Sequence, residues 1–225
     1  MRITSLNSAL GLYFMPSIRP FRTADLDALY DIALRTGDSG QDASALHDDA
    51  KLIGHIYAAP YALLEPASAF VAEDEAGVAG YIVGTADTRA FDVRLEVEWW
   101  PALRAQYEDP AAKPPAGWSA DERRQYVIHH PYKTPERIVA VYPAHLHINL
   151  LPRLQGRDVG RRLLDRFLAA VGEAGARGVH LGCGAANTRA LHFYARYGFA
   201  EIERSARTHT VWMGIEISGA GGRAT

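Results

Sequence analysis

Seven consecutive residues, Gln155, Gly156, Arg157, Asp158, Val159, Gly160 and Arg161, bring together two glycines, two arginines and a side-chain amide. They join the apolar run 146–151 to an amphipathic segment that begins at Val159. A strand passing through a glycine turn into a helix leaves unpaired main-chain N–H groups aimed at one point, and that point attracts phosphate. Glycine allows close approach of the backbone, and Arg157 and Arg161 add charge-assisted donors. The segment therefore reads as a cradle for a pyrophosphate. It is not a P-loop, because Gly160 is followed by Arg161-Arg162 rather than Lys-Ser or Lys-Thr, and Asp158 stands where a dinucleotide turn would need glycine.

Just upstream, His145, His147 and Asn149 alternate with Leu146, Ile148 and Leu150, so the three polar side chains share one face of a predicted strand at 144–151. An imidazole titrates near neutral pH and suits a general base that takes a proton from an incoming nucleophile. His147 is the first candidate and His145 the second; the plainer alternative is a pair of hydrogen-bonded core histidines. No cysteine or carboxylate stands near enough to complete a metal site around the His145-x-His147 pair, so no metal is expected. Cys183, with His180 nearby, has nothing to lower its pKa and reads as core. Asp87 suits either recognition of an ammonium group or the cap of a turn.

These residues need a scaffold. The chain has 225 residues, 48% hydrophobic and 22% charged, enough to bury one substantial core, and its net charge of −2 gives no global pull toward nucleic acid or anionic membrane. One cysteine excludes an internal disulfide and fits a reducing compartment, with the cytoplasm as the simplest address. A single domain is expected over 18–217, between an N-terminal arm at 1–17, in which Met15 offers a second start, and a glycine-rich tail at 218–225. The pattern opens with a strand at 18–22 and a helix capped by Thr23. A second helix at 45–58 should stop before Pro60. A hairpin follows at 70–73 and 78–85. Residues 89–136 read as an insertion shaping the substrate side: a helix at 89–107 kinked at Pro101, a proline-rich loop at 109–117 and a helix at 120–128. Trp99 and Trp100 would mark a contact surface if exposed, although packing is their plainer role. From 138 the order is strand, turn, helix, strand, helix, strand, strand, with Asn187 capping a helix that Gly198 closes.

The stretch Asn187-Thr188-Arg189-Ala190-Leu191-His192-Phe193-Tyr194-Ala195-Arg196-Tyr197-Gly198-Phe199, taken with the glycine turn, resembles the Gcn5-related N-acetyltransferase (GNAT) superfamily. That family pairs a Gln/Arg-x-x-Gly-x-Gly/Ala turn with Asn-x-x-Ala-x-x-x-Tyr-x-x-x-Gly-Phe. Gln155, Gly160, Asn187, Ala190, Tyr194, Gly198 and Phe199 match it, and Asp158 departs from it. The resemblance implies an α/β fold, a mixed central β-sheet flanked by helices, with a splayed pair of parallel strands forming a cleft for acetyl-CoA. It implies that Leu150, Leu151, the turn from Gln155 to Arg161, Asn187 and Tyr194 hold the co-substrate, that the pantetheine arm pairs with main-chain groups around Leu150 and Leu151, and that Tyr194 protonates the leaving thiolate. The Asp158 carboxylate should face away from the phosphates. The implied activity is transfer of an acetyl group to a primary amine, carried by a small molecule or a peptide, by direct attack; a domain that keeps the fold without turnover is the alternative. A narrower resemblance, carried by His145 to Pro152, Gly54-His55-Ile56-Tyr57 and Ala86-Asp87-Thr88, is to the acetyltransferase-like domain of animal O-GlcNAcase and its free-standing bacterial homologues. Neither resemblance names the amine or the oligomeric state.

Overall fold

The alternation of apolar residues along 144–150 and the helical apolar stripe along 159–173 meet in one seven-stranded sheet of order β1-β2-β3-β4-β5-β7-β6. The computed structural model describes residues 15–217, so most of the proposed arm and all of the proposed tail lie outside the described residues. The strands are β1 Ser17–Pro20, β2 Phe70–Asp74, β3 Gly77–Thr85, β4 Ala144–Leu150, β5 Gly178–Gly184, β6 Ala200–Ser205 and β7 Thr210–Glu216. All neighbours are antiparallel except β4 and β5.

The helices are α1 Leu26–Leu34, α2 Leu52–Tyr57, α3 Ala59–Leu64, α4 Thr88–Glu98, α5 Trp100–Gln106, α6 Ala120–His129, α7 Glu136–Val139, α8 Val159–Glu173 and α9 Thr188–Tyr197. Helix α8 covers the Leu146 face of the sheet with Val159, Leu163, Leu164, Phe167 and Val171, each at most 1% exposed. Helices α1, α3 and α4 cover the opposite face, where His145, His147 and Asn149 emerge.

Several boundaries differ from expectation, each for a local reason. Thr23 does not cap α1; the Asp25 carboxylate accepts the Arg22 N–H at 2.8 Å while pairing with Arg19. The helix expected at 45–58 exists only from Leu52, because the Asp121 carboxylate accepts the N–H groups of Asp48 and Asp49 at 3.1 Å and holds that segment in turns. Pro60 does not end a helix but sits in the first turn of α3, where its missing N–H costs no hydrogen bond. The chain breaks at Trp99, and Pro101 stands in the first turn of α5. Residue 138 belongs to α7 rather than to a strand. Trp100 is buried, and the Trp99 indole donates to the His55 carbonyl at 2.9 Å, so both tryptophans pack the interior.

Candidate active site

β4 and β5 pair only at Ala144↔Val179 and His145↔His180, and then part. β3 remains bonded to β4 and β7 to β5 along their outer edges, so the gap between them is bordered by two strand edges with main-chain groups unused in the sheet. The Leu151 N–H donates to the Ala79 carbonyl at 2.8 Å, on the β3 side. Main-chain groups alternate along an antiparallel ladder, so those of Leu150 and Ile148 face the gap. The Leu150 carbonyl is taken by the Gln155 side-chain amide, which donates at 2.8 Å. The other end of that amide accepts from Arg189 on α9 at 2.5 Å, linking the two walls.

Beyond Leu151 the chain makes one 3-10 turn and reaches Gly156 at φ +72° and Asp158 at φ +60°. The left-handed conformation at 158 is one that glycine adopts freely and that aspartate tolerates at a cost, which gives a physical reason for glycine at this point in the pattern the chain resembles. The Asp158 side chain caps nothing. Among the described residues, no N–H from Gly156 through Arg161 has an acceptor. These donors crowd the positive end of the α8 dipole, and the exposed Arg157 and Arg161 flank them without a carboxylate partner among the described residues. Gly160 is where α8 comes closest to its neighbours: a Cβ there would lie 3.0 Å from the Phe193 ring and 3.4 Å from Leu150.

Asn187 accepts the Ala190 N–H at 3.1 Å and starts α9, and Gly198 at φ +128° ends it. That helix carries Tyr194, 8% exposed, against Phe193 and Phe199. Its hydroxyl has no hydrogen bond among the described residues, and no buried side-chain N or O atom is left unpaired there, so the hydroxyl oxygen is not fully enclosed. Burial raises the Tyr194 pKa, with Cys183 as a neighbouring influence, and burial raises the Cys183 thiol as well.

On the other face, both candidate histidines converge on Tyr61, whose hydroxyl lies 2.9 Å from His145 Nε2 and 3.2 Å from His147 Nε2. The protons can be assigned along this chain. Thr88 donates its hydroxyl to the Pro143 carbonyl at 2.7 Å, so His145 Nδ1–H must donate to Thr88, also at 2.7 Å. His145 Nε2 then accepts from Tyr61, and the Tyr61 oxygen accepts from His147 Nε2–H. This leaves His147 Nδ1 as a bare lone pair without a partner among the described residues. Burial pushes His147 down to about 4, with His180 adding to the shift, and holds His145 well below its ordinary value too, so both are neutral at pH 7. Asn149 is occupied, donating to Thr36 at 2.5 Å. Tyr61 and Thr88 carry the relay that the strand pattern alone did not single out; the signal available was the tyrosine-rich 54–61 segment, whose register against β4 exists only in three dimensions. Asp87 is a helix cap, accepting from Ala90 at 3.1 Å, and His180 is a core residue bonded to the Tyr142 carbonyl.

A splayed pair of parallel strands, an anion cradle at the end of one and a tyrosine-bearing helix after the other define an acyltransferase fold, and the chain belongs to the GNAT superfamily. The model of the acetyltransferase (GNAT) domain matches residues 125–201. The solved structure of SsHAT is 40% identical, with 90% of this chain and 98% of that one aligned at a TM-score of 0.81. The O-GlcNAcases of Rattus norvegicus and Mus musculus are each 24% identical over 214 residues, which is 90% of this chain but only 23% of their own length. The yncA protein of Salmonella typhimurium, solved with its cofactor acetyl-CoA, shares the fold at 14% identity and a TM-score of 0.56, over 93% of this chain and 98% of that one.

Proposed function

We propose that this protein transfers an acetyl group from acetyl-CoA to a primary amine by direct attack within a ternary complex. The observation that carries the reading is the gap between β4 and β5 ending in the row of free N–H groups from Gly156 to Arg161, a slot and an anion cradle in line. Acetyl-CoA would supply the activated thioester. The residues fit it: main-chain groups of Ile148 and Leu150 would receive the pantetheine amides as an added strand does, with Leu151 packed beneath the slot. Residues Gln155, Gly156, Arg157, Asp158, Val159, Gly160 and Arg161 would form the pyrophosphate turn, and Asn187 would fix the start of the facing helix. An amide of β4 is positioned to act as an oxyanion donor.

His147 Nδ1 is the general base. An amine nitrogen becomes cationic as it attacks, and therefore acidic enough to yield its proton to a weak base; His145 supports His147 through Tyr61. Tyr194 keeps its proton at neutral pH and is the acid for the departing thiolate. The environment that raises the Cys183 thiol would raise that thiolate too, which brings the two groups closer in proton affinity. The buried cysteine fits a reducing compartment, and the cytoplasm is part of this reading. Among the described residues no helix is long and apolar enough to cross a membrane.

The competing reading, a CoA-binding or interaction module without turnover, draws on the low basicity of His147 and on the negative charge that Asp158 brings to the turn. Calorimetry with acetyl-CoA followed by thiol release across an amine panel separates the two. Binding with thiol release that falls at least about tenfold in Tyr194→Phe, a loss typical of one acid–base catalyst or more, is the expected outcome. Binding without release would favour the module, and no binding at millimolar acetyl-CoA would sink the transferase and the CoA-binding module, leaving only an interaction module.

A further inference from the structure

A cleft of about 520 Å³, a volume suited to a small molecule, lies between the segment after α1 and helix α6, one tyrosine ring away from His147. Its connection to the histidine is physical at two points. The Arg124 guanidinium lies 5.7 Å from the Tyr57 ring, which packs 5.3 Å from the His147 ring. Gly37 on its wall adjoins Thr36, which holds Asn149 on the same face of β4. The lining is distinctive in charge and shape. Trp118 and Tyr126 meet at 4.8 Å with their planes tilted by 37°, Trp118 held by its indole N–H to the Lys113 carbonyl and Tyr126 stacked on the His130 ring at 4.4 Å. Arg123 and Arg124 both line this cleft, and Arg124 Nη1 also donates to the Tyr57 hydroxyl at 3.4 Å. Neither has a carboxylate partner among the described residues, whereas Asp121 and Glu122 beside them are consumed by His47 and Lys113.

We infer that this cleft is the acceptor site, and that it selects primary amines carrying an anionic group, a carboxylate or a phosphate, on a flat body. The anion would meet the Arg123 and Arg124 guanidinium groups, the body would lie on Trp118 and Tyr126, and the amine would extend past Tyr57 toward His147. The inference rests on the transferase reading for its purpose, but it is tested by binding alone.

The test is affinity, without acetyl-CoA, for two matched pairs: 4-(aminomethyl)benzoate against 4-(aminomethyl)benzamide, and glucosamine 6-phosphate against glucosamine. The anionic member of at least one pair should bind about tenfold tighter or more, as charge-assisted hydrogen bonds to arginine imply. The pair that shows the preference identifies the anion. Arg123→Gln, whose side chain touches no acidic partner among the described residues, should weaken the preference, and Arg123→Gln with Arg124→Gln should abolish it. Equal affinity within both pairs, a preference that survives the double substitution, or no binding of either anion at about ten millimolar, far above ordinary substrate affinities, would overturn the assignment. Acetyl-CoA affinity and thiol release are measured separately. Thiol release without anion preference removes only the acceptor class, and anion preference without thiol release removes only the transferase.

Discussion

Tyr61 illustrates how one hydroxyl sets the chemistry of two others. It donates to His145 and accepts from His147, and it is buried beneath both. Tyr61→Phe removes the oxygen and leaves two ring nitrogens without their partner, which should destabilise the fold by about 1–3 kcal/mol in thermal or denaturant unfolding. The freed His147 would no longer hold one tautomer, so thiol release should fall while acetyl-CoA affinity is retained. An unchanged rate in Tyr61→Phe would mean that the relay does not orient the base. Asp158 poses a different question, because its backbone is left-handed and its exposed carboxylate belongs to the turn yet accepts none of the turn's free N–H groups. Asp158→Gly removes both the strain and a negative charge close to the proposed phosphate position. It should tighten acetyl-CoA binding by about 0.5–1 kcal/mol, the scale of an exposed charge pair, as read by calorimetry.

At the scale of elements, the site is made by the junction of β4 with α8 and by the parting of β4 from β5. Substitution at Gly160 tests that junction, but with a structural cost: a Cβ would press on the Phe193 ring at 3.0 Å, so a bulky residue would push α9 from α8. Gly160→Val should lower stability by about 1–3 kcal/mol, typical of overpacking, as well as weaken acetyl-CoA binding. Gly156 has open space around it, and Gly156→Ala would act mainly through its φ of +72°. Retained acetyl-CoA affinity in both variants would show that the turn serves only as a bend. The strand, the turn and the capped helix at 187–198 were legible in sequence because each rests on local chemistry: alternation, glycine and a side-chain cap. The helix expected at 45–58 was not, because Asp121, far along the chain, competes for its first N–H groups.

For the whole molecule, burying neutral histidines ties stability to pH. His147 has an ordinary pKa of 6.5 and falls to about 4 in the fold, and His145 and His180 are shifted in the same direction. The unfolded chain therefore binds more protons than the folded one between those values, and stability must rise with pH across that window and decline as pH falls through it. Each group contributes up to about 1.4 kcal/mol per pH unit there. The melting temperature should drop from pH 7 to pH 5, and His147→Gln should flatten that slope. The carboxylates held low by arginine, such as Asp25 beside Arg19, lose their contribution only at more acidic pH. A slope unaltered by His147→Gln would show that this ring titrates normally.

The amino-acid sequence alone determined the glycine turn with its free N–H groups, the polar face of His145, His147 and Asn149, the tyrosine on its capped helix, and through them the family resemblance. Each depends on residues within a turn or two of one another, where hydrogen-bond geometry and side-chain periodicity are local. Tertiary structure decided which groups use those residues. It gave the Leu151 amide to Ala79, joined His145 to His147 through Tyr61, and placed Arg123 and Arg124 on a cleft with the segment after α1. These contacts span tens of residues, and they follow from how α3 packs against the sheet and α6 against α2 and α5, which no local spacing encodes.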